Sequence, residues 1–307
     1  MTLRSLVVGY GSIGTRHAAV LERMGHAVSV VSRRGVGGGR PVFRSLGDAL
    51  DAGSFDHIVV AVETVEHEAT VAELAARNHT GFVLVEKPLF ATPATLPRNN
   101  FRRASVNYNL RFHPAVKALH AALAGRSAEI ADFHVGQWLD DWRPGRDTAA
   151  TYSASRAAGG GVLRDLSHEL DLAAWLFGPA QVVAALGGRL GKVTVDADDG
   201  WGLVMSCVRC PVVTLQLNSL DRRGQRRVTI QVEGETLAAD LVDGTVEIGQ
   251  SRERIAVEGD ATITAVHQAL IEGKPEVCSL EEGVRVVTLI AAIERSARER
   301  KFIETPA

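Results

Sequence analysis

Over the first 110 residues, short apolar runs alternate with stretches whose apolar positions follow helical spacing. The runs predict strands, and the stretches between them predict helices. The predicted strands cover residues 3–8, 27–31, 57–62 and 82–85, and the predicted helices cover residues 13–24, 46–52 and 66–77. Because the strands are nearly continuous in Val, Leu and Ile, we expect an α/β domain whose parallel sheet has helices on both faces.

After about residue 112 the pattern changes to longer runs in which apolar and polar residues alternate. Alternation with a period of two is typical of strands that bury one face. These runs cover residues 130–138, 181–189, 201–207, 212–220, 227–233, 236–241 and 245–248, and further helices are predicted over residues 113–124, 163–177 and 280–300. The chain is therefore predicted to form a first domain over residues 1–112 and a second over residues 113–307, the latter α+β with a largely antiparallel open sheet.

Composition limits the classes of partner that we expect. With 307 residues the chain is long enough for two domains, and its formal charge of −2 gives no general attraction for nucleic acid or an anionic membrane. It has no apolar run of the roughly 20 residues that span a bilayer, and its first residues do not resemble a secretory signal. Its three cysteines are too few for a disulfide framework, so we expect a soluble, cytoplasmic protein.

Two of the cysteines, Cys207 and Cys210, have a spacing that also occurs in metal and redox sites. A zinc site of this kind needs a second pair of cysteines or histidines, and the sequence does not supply one at the usual spacing. The ten histidines are dispersed along the chain. We therefore expect no metal ion.

The turn after the first predicted strand is rich in glycine and opens the first predicted helix. From residue 9 to residue 14 it reads Gly-Tyr-Gly-Ser-Ile-Gly. In this context Gly9 permits a tight turn, Gly11 lets the backbone approach a pyrophosphate, and Gly14 allows close packing of helix against strand. The helix N-terminus, with Ser12 and Ile13, offers backbone N–H groups and a positive dipole to phosphate. These residues predict a dinucleotide-binding site.

The residues after the second predicted strand bear on which dinucleotide binds. NAD-binding domains usually place an acid here to hold the adenosine ribose 2′-hydroxyl, but this chain has Ser32, Arg33 and Arg34. Guanidinium groups pair well with phosphate, which favours NADP over NAD. The alternative is that both arginines are solvated loop residues, which would not discriminate between the two cofactors.

Three further motifs accompany the glycine turn. They are Glu86-Lys87-Pro88, the stretch Tyr-Asn-Leu-Arg-Phe-His-Pro from residue 108, and the segment Gly-Gly-Gly-Val-Leu-Arg-Asp-Leu-Ser-His-Glu-Leu-Asp from residue 159. Together with residues 9–17, and in this order, they resemble the glucose–fructose oxidoreductase/inositol dehydrogenase family, Gfo/Idh/MocA, over essentially the whole chain. The resemblance implies that residues 1–112 form a Rossmann dinucleotide-binding domain. It implies that residues 113–307 form a domain for substrate binding and oligomerisation, in a homodimer or homotetramer.

The resemblance also assigns roles at the reaction centre. It implies that Lys87 contacts both the nicotinamide ribose and the substrate hydroxyl, and that the Lys87–Pro88 bond is cis. A cation at that point would stabilise the developing alkoxide, and His168 is the candidate general base. Asp165 lies three residues before His168, so on a helix the two side chains would share a face, and the carboxylate could orient the imidazole or hold a substrate hydroxyl. The family more often has a spacing of four, and the alternative for Asp165 is a charge at a helix N-terminus.

Other residues are assigned by their place in the pattern. Glu63 and His67 follow the third predicted strand, where they could bond the cofactor or the Lys87 turn, although a plain helix start gives the same pattern. Glu86 and Pro88 complete the cofactor side of that turn. The predicted substrate contacts are Tyr108, Asn109, Arg111, Trp142, Arg146, Tyr152 and Asp171. Aromatic and arginine side chains suit stacking on a sugar and pairing with phosphate, while ordinary loop packing is the alternative for them.

These observations predict an NAD(P)-dependent oxidoreductase. It would transfer hydride between nicotinamide and a secondary alcohol of a sugar, a sugar derivative or a cyclitol. One alternative is redox-neutral sugar chemistry in which the cofactor is recycled in place. Another is a non-catalytic cofactor-sensing regulator on the same fold, although such a protein would not need proton-transfer residues.

Overall fold

The computed structural model describes residues 2–139, 155–156, 159–191 and 196–305. The chain divides into two compact units. The first comprises Met1–Phe112 and Glu258–Val284, and the second comprises His113–Val257 and Arg285–Ala307. The predicted boundary after residue 112 coincides with one division, but the prediction placed residues 258–284 in the second domain. In the structure that stretch packs with the first unit.

The first unit is built on a six-stranded sheet in which every pair is parallel. Its strands are β1 (Arg4–Val8), β2 (Ala27–Val31), β3 (Val42–Phe43), β4 (His57–Val60), β5 (Phe82–Val85) and β6 (Arg103–Val106). Between them lie α1 (Ser12–Arg23), α2 (Leu46–Ala52) and α3 (Thr64–Ala76), and a 3-10 helix, Asn109–Phe112, closes the segment. The sheet order β3-β2-β1-β4-β5-β6 reverses between β1 and β4. Sheets of this kind bind ligands at the carboxyl ends of the strands beside such a reversal.

Burial explains why the first pattern predicted strands so closely. All four residues of β4 and all four of β5 are buried, as expected for a sheet covered on both faces. The core includes Val7, Val30, Val59 and Leu84 from the central strands, packed with Leu21 of α1. The predicted α/β class of this domain is confirmed.

The second unit contains a nine-stranded sheet with the order β14-β13-β12-β11-β7-β10-β9-β8-β15. Its strands are β7 (Ile130–Gly136), β8 (Ala180–Gly188), β9 (Gly200–Cys207), β10 (Cys210–Asn218), β11 (Gln225–Val232), β12 (Glu235–Asp240), β13 (Thr245–Ile248), β14 (Ser251–Arg254) and β15 (Ile303–Glu304). Adjacent strands are antiparallel except for the parallel pair of β7 and β10. The predicted largely antiparallel sheet is therefore confirmed.

Helices cover one face of this sheet. They include α4 (Pro114–Ala122), α5 (Val162–Asp165) and α6 (His168–Phe177), with α4 packed on β12 and β13 and α6 on β9 and β10. Inward residues such as Phe133, Leu215 and Ile230 are buried, while alternate positions on the same strands are more exposed. This accounts for the alternating sequence pattern.

The single helix predicted over residues 163–177 is wrong in one respect, because two helices occupy that range. The backbone between α5 and α6 tightens into bonds that span three residues, from Ser167 N–H to the Arg164 carbonyl and from Glu169 N–H to the Leu166 carbonyl, both 3.3 Å. Such bonds tighten the chain at the junction of the two helices. Asp165 and His168 therefore belong to different helices and do not share the face of one continuous helix, as was predicted.

One helix of the first unit escaped prediction. This is α7 (Ala261–Glu272), and α8 (Leu280–Glu299) follows it. The sequence of α7 is rich in β-branched residues, which have modest helix propensity. Its N-cap Asp260 and the left-handed Gly273 after its last turn are recognisable boundary signals. Asp260 also binds the rest of the unit, because Arg16 and Arg23 of α1 donate to its carboxylate at distances of 2.7–2.9 Å.

Among the residues described, no helix combines the length and the apolar character that crossing a membrane requires.

Candidate active site

The glycine turn joins β1 to α1 at the strand reversal. Gly9 has a φ of +99° and donates its N–H to the Val31 carbonyl at 3.1 Å. A Cβ on Gly9 would lie 2.4 Å from the Ala61 carbonyl oxygen, and one on Gly14 would lie 2.0 Å from the Gly9 carbonyl oxygen. A Cβ on Gly11 would meet nothing within 4 Å. The first and third glycines thus serve close packing, while the second leaves open space on the outside of the turn.

The first turn of α1 fits a phosphate group. Gly11 is the N-cap and provides no side-chain cap, and the first turn contains no acidic residue. Ser12 is exposed and Ile13 half-buried. A helix N-terminus that is open, uncapped and free of negative charge attracts anions through its N–H groups and dipole. The residues present therefore fit the pyrophosphate of a dinucleotide.

The arginines after β2 lie in exposed loop structure. Ser32 is buried, whereas the Arg33 side chain is 75% exposed and forms two hydrogen bonds to Glu66, at 2.9 and 3.2 Å. Arg34 donates to the Tyr10 carbonyl at 3.0 Å. Glu66 was not singled out by the sequence, because it comes from α3 and meets Arg33 only in the folded unit. Both predicted arginines remain near the glycine turn, but each already has a protein partner.

Two further arginines extend this group. Arg40 donates to the Tyr10 hydroxyl at 2.6 Å and also pairs with Glu22 of α1, and Arg44 donates to the Arg33 carbonyl at 2.8 Å. The hydrogen bond with Glu22 is the largest cause that raises the pKa of Arg40. The loop after β2 therefore carries more positive charge than Arg33 and Arg34 alone.

The Lys87 turn follows the carboxyl end of β5, and its Lys87–Pro88 peptide bond is cis, as the resemblance implies. Lys87 is half-buried, while the Glu86 side chain points into the unit. One Glu86 oxygen, Oε1, accepts hydrogen bonds from His17 Nε2 at 2.7 Å and from Asn107 Nδ2 at 2.5 Å. The other, Oε2, accepts the Lys87 N–H at 3.3 Å. Sequence reasoning assigned no role to His17 or Asn107, although both lie in the quoted motifs or beside them.

These contacts fix the charge of Glu86. Burial on its own raises the pKa of Glu86, but the hydrogen bond and charge of His17, the hydrogen bond from Asn107 and the charge of Lys87 together outweigh burial. The pKa of Glu86 therefore lies below its ordinary value, and the group is a carboxylate at neutral pH.

His67 lies behind the same turn. It is 1% exposed, with Nδ1 3.1 Å from the Pro88 carbonyl and 3.2 Å from the Leu89 carbonyl, and Nε2 3.2 Å from the Val62 carbonyl. Burial lowers the pKa of His67 and keeps the ring neutral. Of the two roles considered from the sequence, these contacts match support of the Lys87 turn. Glu63 is the exposed N-cap residue of α3 and makes no side-chain cap.

Residues 108–112, which open the motif Tyr-Asn-Leu-Arg-Phe-His-Pro, belong to the first unit. Tyr108 is 1% exposed, and Asn109 Nδ2 donates to Thr262 Oγ1 at 2.8 Å. Arg111 is 2% exposed and pairs with Glu282 at 3.3 Å. The buried guanidinium of Arg111 binds the returning stretch Glu258–Val284, and its predicted substrate contact stays a prediction. Sequence order could not reveal a partner 171 residues away.

The glycine segment in the second unit is anchored by Asp198. Its carboxylate accepts the Leu163 N–H at 2.9 Å and the Trp201 indole N–H at 2.7 Å, and its carbonyl accepts the Val162 N–H at 3.0 Å. Gly161 has a φ of +113°, and a Cβ there would lie 2.1 Å from Asp198 Oδ1. Burial raises the pKa of Asp198, against these hydrogen bonds. The glycine is therefore required by the close approach of this carboxylate to the start of α5.

The three acid–base candidates of this segment differ in exposure. Asp165, the last residue of α5, is 8% exposed and Asp171 is 1% exposed, whereas His168 begins α6 and is half-buried. Glu169 is also buried, and Arg226 donates to its carboxylate at 2.7 Å. His168 is thus the most accessible of the three candidates. Trp142, Arg146 and Tyr152 lie outside the described residues.

The predicted site residues therefore fall into two groups. The glycine turn, the loop after β2, Glu63, His67 and the Lys87 turn all belong to the carboxyl-end edge of the first unit's sheet. Asp165, His168 and Asp171 belong to the second unit.

Comparison with known proteins gives matches over most of the chain. The model of the oxidoreductase family with an NAD-binding Rossmann fold, GFO/IDH/MocA, matches residues 3–100, and the model of the GFO/IDH/MocA C-terminal domain matches residues 120–238. A curated relative, the rhizopine catabolism protein MocA of Rhizobium meliloti, is 31% identical over 153 residues. That match covers 46% of this chain and 44% of the relative, so less than half of the relative's length is matched.

Solved structures share the whole fold at low identity. GenD2 from gentamicin A biosynthesis, in complex with NAD, is 23% identical with a TM-score of 0.80, covering 100% of this chain and 97% of that one. The WlbA dehydrogenase from Bordetella pertussis, in complex with NADH and UDP-GlcNAcA, is 19% identical with a TM-score of 0.80 over 100% and 98% of the two chains. A myo-inositol dehydrogenase from Corynebacterium glutamicum is 18% identical with a TM-score of 0.76 over 100% of both chains. At these identities the likeness establishes the fold.

Proposed function

Because the chain belongs to the GFO/IDH/MocA oxidoreductase family and contains its NAD-binding Rossmann domain, we propose that it oxidises a secondary alcohol of a sugar, a sugar derivative or a cyclitol. The observation that carries this proposal is that a phosphate-binding feature and a candidate catalytic lysine lie at the same edge of one sheet. An uncapped helix N-terminus that fits pyrophosphate lies at the end of β1, and Lys87, backed by the Glu86 carboxylate, lies at the end of β5. Ligands of such sheets bind at these carboxyl ends.

The chemistry divides between few groups. A bound nicotinamide dinucleotide would supply the acceptor for the hydride that leaves the carbinol carbon. Lys87 would stabilise the negative charge that develops on the alcohol oxygen. His168 would accept the hydroxyl proton, so that the alcohol becomes a ketone with loss of one hydride and one proton. Asp165 would orient the imidazole of His168. Asp171 is buried and would act only through neighbouring residues of the second unit.

We further propose that NADP is preferred over NAD. No acid stands at the end of β2, and Arg33, Arg34, Arg40 and Arg44 surround that loop. Arg33 is the most available of them, since its partner Glu66 is itself partly exposed. A 2′-phosphate would compete with Glu66 for this guanidinium.

The decisive assay mixes the protein with NAD or NADP and a panel of polyols, cyclitols and nucleotide sugars. We expect a net rise in the near-ultraviolet absorbance of reduced nicotinamide with at least one polyol, and a faster rise with NADP. Lys87→Met should abolish the rise, and Lys117→Met, an exposed lysine on α4, is the control. Product formation without net reduction would instead indicate redox-neutral chemistry. Cofactor binding without any turnover across the panel would indicate a regulator.

The substrate-binding domain also suits self-association, and we propose a homodimer or homotetramer. The nine-stranded sheet has helices on one face, and its other face carries partly exposed apolar residues such as Ile130 and Val212. Analytical ultracentrifugation at several concentrations measures this directly. A purely monomeric protein would contradict it.

A further inference from the structure

A row of buried imidazoles runs inward from Glu86. His17 of α1, His57 of β4 and His267 of α7 are each 0% exposed. His17 Nε2 lies 2.7 Å from Glu86 Oε1, and His17 Nδ1 lies 2.8 Å from His267 Nε2. The ring of His57 lies next, with its centroid 4.9 Å from that of His267. None of these imidazoles takes part in the proposed reaction.

The ionised state of Glu86 determines which atom donates in the first hydrogen bond of this row. An ionised carboxylate can only accept hydrogen bonds, so the Nε2 of His17 must carry a proton and donate it to Glu86. The contact between His17 Nδ1 and His267 Nε2 needs one proton between the two nitrogens, whichever ring carries it. In either arrangement the imidazole of His267 orients the ring of His17, and His17 directs its Nε2–H at Glu86.

The carboxylate in turn is tied to Lys87. Its Oε2 accepts the Lys87 backbone N–H, and the Lys87 charge is one of the causes that lower the pKa of Glu86. Attraction between two charges is mutual, so the ionised Glu86 also attracts the ammonium group of Lys87. Without His17, Oε1 would keep only the Asn107 donor, and less would oppose burial, which alone raises the pKa of this group.

We propose that His17 and His267 are positioning residues for Lys87. Through the hydrogen-bond chain His267–His17–Glu86 they hold the carboxylate charged and oriented, and the carboxylate holds Lys87 as a cation at the end of β5. The catalytic consequence rests on the proposed function, because it is the cationic lysine that stabilises an alkoxide. The charge on Lys87 itself can be measured without any reaction.

The groups that face this chain from neighbouring elements are few. Lys87 and His17 face Glu86, and so does His67 from α3, whose pKa is lowered by burial. Facing His267 are His57 and His26, and the pKa of His267 is lowered well below its ordinary value, first by burial. Both of these rings are neutral at pH 7, since burial lowers the pKa of His57 to about 3 and also lowers that of His26. Glu86 and Lys87 are therefore the charged pair that the chain controls.

His57 offers a matched control. Within the part of the chain that the structure describes, neither nitrogen of His57 has a hydrogen-bond partner, and the same is true of His267 Nδ1. His57 is as buried as His267 and touches its ring, but it lies outside the hydrogen-bond chain to Glu86. His57→Phe therefore removes a neighbouring imidazole and leaves His267–His17–Glu86 intact.

The experiment follows the charge of Lys87 in the cofactor-free protein. The wild type and the variants Glu86→Gln, His17→Phe, His267→Phe and His57→Phe are acylated with acetic anhydride at a series of pH values, and mass spectrometry follows modification at Lys87. Only the neutral amine reacts. Glu86→Gln should make Lys87 react about tenfold faster at neutral pH, and His17→Phe and His267→Phe should each make it react about threefold faster, because Asn107 still donates to Oε1 in both. His57→Phe should leave the rate within twofold of wild type.

Second variants keep the test valid if a phenylalanine variant misfolds. His17→Gln and His267→Gln retain amide donors and should restore most of the wild-type rate. Adding His267→Phe to Glu86→Gln should change nothing further, because the carboxylate through which His267 acts is gone. Near-ultraviolet circular dichroism checks folding of every variant.

The possible outcomes distinguish failure of the positioning role from failure of the proposed function. A shift in Glu86→Gln that is missing in folded His17→Phe and His267→Phe overturns the proposal, as does an equal shift in His57→Phe. If the wild type shows no oxidation of any polyol but the shifts in Lys87 reactivity occur as stated, the positioning role stands and the proposed function fails. If oxidation does occur, the alkaline limit of kcat should move to lower pH in His267→Phe.

Discussion

The two units position the side chains that we propose to be reactive in different ways. In the first, Lys87 depends on charge, because a carboxylate beneath it is held by His17, Asn107 and, at one remove, His267. In the second, the start of α5 depends on backbone geometry, because a glycine lets the chain approach Asp198 closely. A residue that must remain a cation needs a counter-charge, whereas a residue that must accept a proton at the right place needs a fixed backbone.

The largest expected effect tests whether Lys87 of the first unit and His168 of the second serve one reaction. Lys87→Met and His168→Ala should each lower turnover by about two to four orders of magnitude, the range for a positioned acid–base group. The double variant should be scarcely slower than either single one if the two residues act as a unit. Steady-state kinetics with the best substrate measures this, and the retained affinity for the cofactor is the control. Independent, multiplying losses would show that the two units do not serve one chemical step.

Glycine geometry gives the next effect. Gly161→Ala should destabilise the protein by about 2–4 kcal/mol, since a side chain is strained at positive φ and its Cβ would meet the Asp198 carboxylate. Gly202→Ala in the same unit is the matched control, because a Cβ there meets nothing within 4 Å. Urea unfolding followed by fluorescence compares the two. Equal stability of both variants would remove the backbone explanation for the second unit.

Acid should weaken the first unit through its buried histidines. Burial lowers the pKa of His57 from 6.5 to about 3, so the unfolded chain binds a proton there that the folded chain does not. Stability is therefore lost as pH falls from about 6.5 towards 3, and His57 alone should cost about 2 kcal/mol at pH 5. His57→Phe should move the midpoint of acid unfolding to lower pH.

The control for this effect lies in the second unit. His120 is half-buried and stacks on Trp175 with ring centroids 4.0 Å apart, so His120→Phe changes a histidine that is not enclosed in the same way. It should leave the acid midpoint close to that of the wild type. If His57→Phe leaves the pH midpoint of acid unfolding unchanged, other groups govern acid unfolding.

The smallest effect concerns the cofactor. Arg33→Ala should weaken NADPH binding selectively by about 1 kcal/mol, at the low end for a charge-assisted hydrogen bond because Arg33 is exposed. Glu66→Gln should act in the opposite direction by freeing the guanidinium. Calorimetric titration with NADPH and NADH measures both. Equal losses for the two cofactors in Arg33→Ala would show that this residue does not bind the 2′-phosphate.

Local chemistry explains what the sequence could predict. Although the two-residue strand β3 was not predicted, strands β1, β2, β4 and β5, the glycine turn and the Lys87 turn follow from short patterns, since these strands are largely apolar and each motif directly follows a strand. The same holds for the alternating strands of the second unit. Glu86 was assigned to the cofactor side of the turn, and its inward orientation could not be read from neighbouring residues.

Long-range pairing explains what the sequence could not predict. His267 meets His17 across 250 residues, and Arg111 meets Glu282 across 171, so no window along the chain contains either pair. The break between α5 and α6 is the opposite case. There the apolar spacing of a helix persists across the junction, and only the hydrogen bonds change. Periodicity reports which face is buried and is insensitive to such a change.

The first unit is formed by two separate segments of the chain, and this has a consequence for the synthesis of the protein. A ribosome releases residues 1–112 long before it has synthesised α7, because the second unit's residues 113–257 come between. The early segment must therefore wait without the His267 partner of His17 and the Asp260 partner of Arg16 and Arg23, and folding is completed by contacts of very high sequence separation. Such contacts form slowly and leave apolar surface exposed in the meantime. We expect nascent chains that end before residue 258 to need chaperone protection that the completed chain no longer requires.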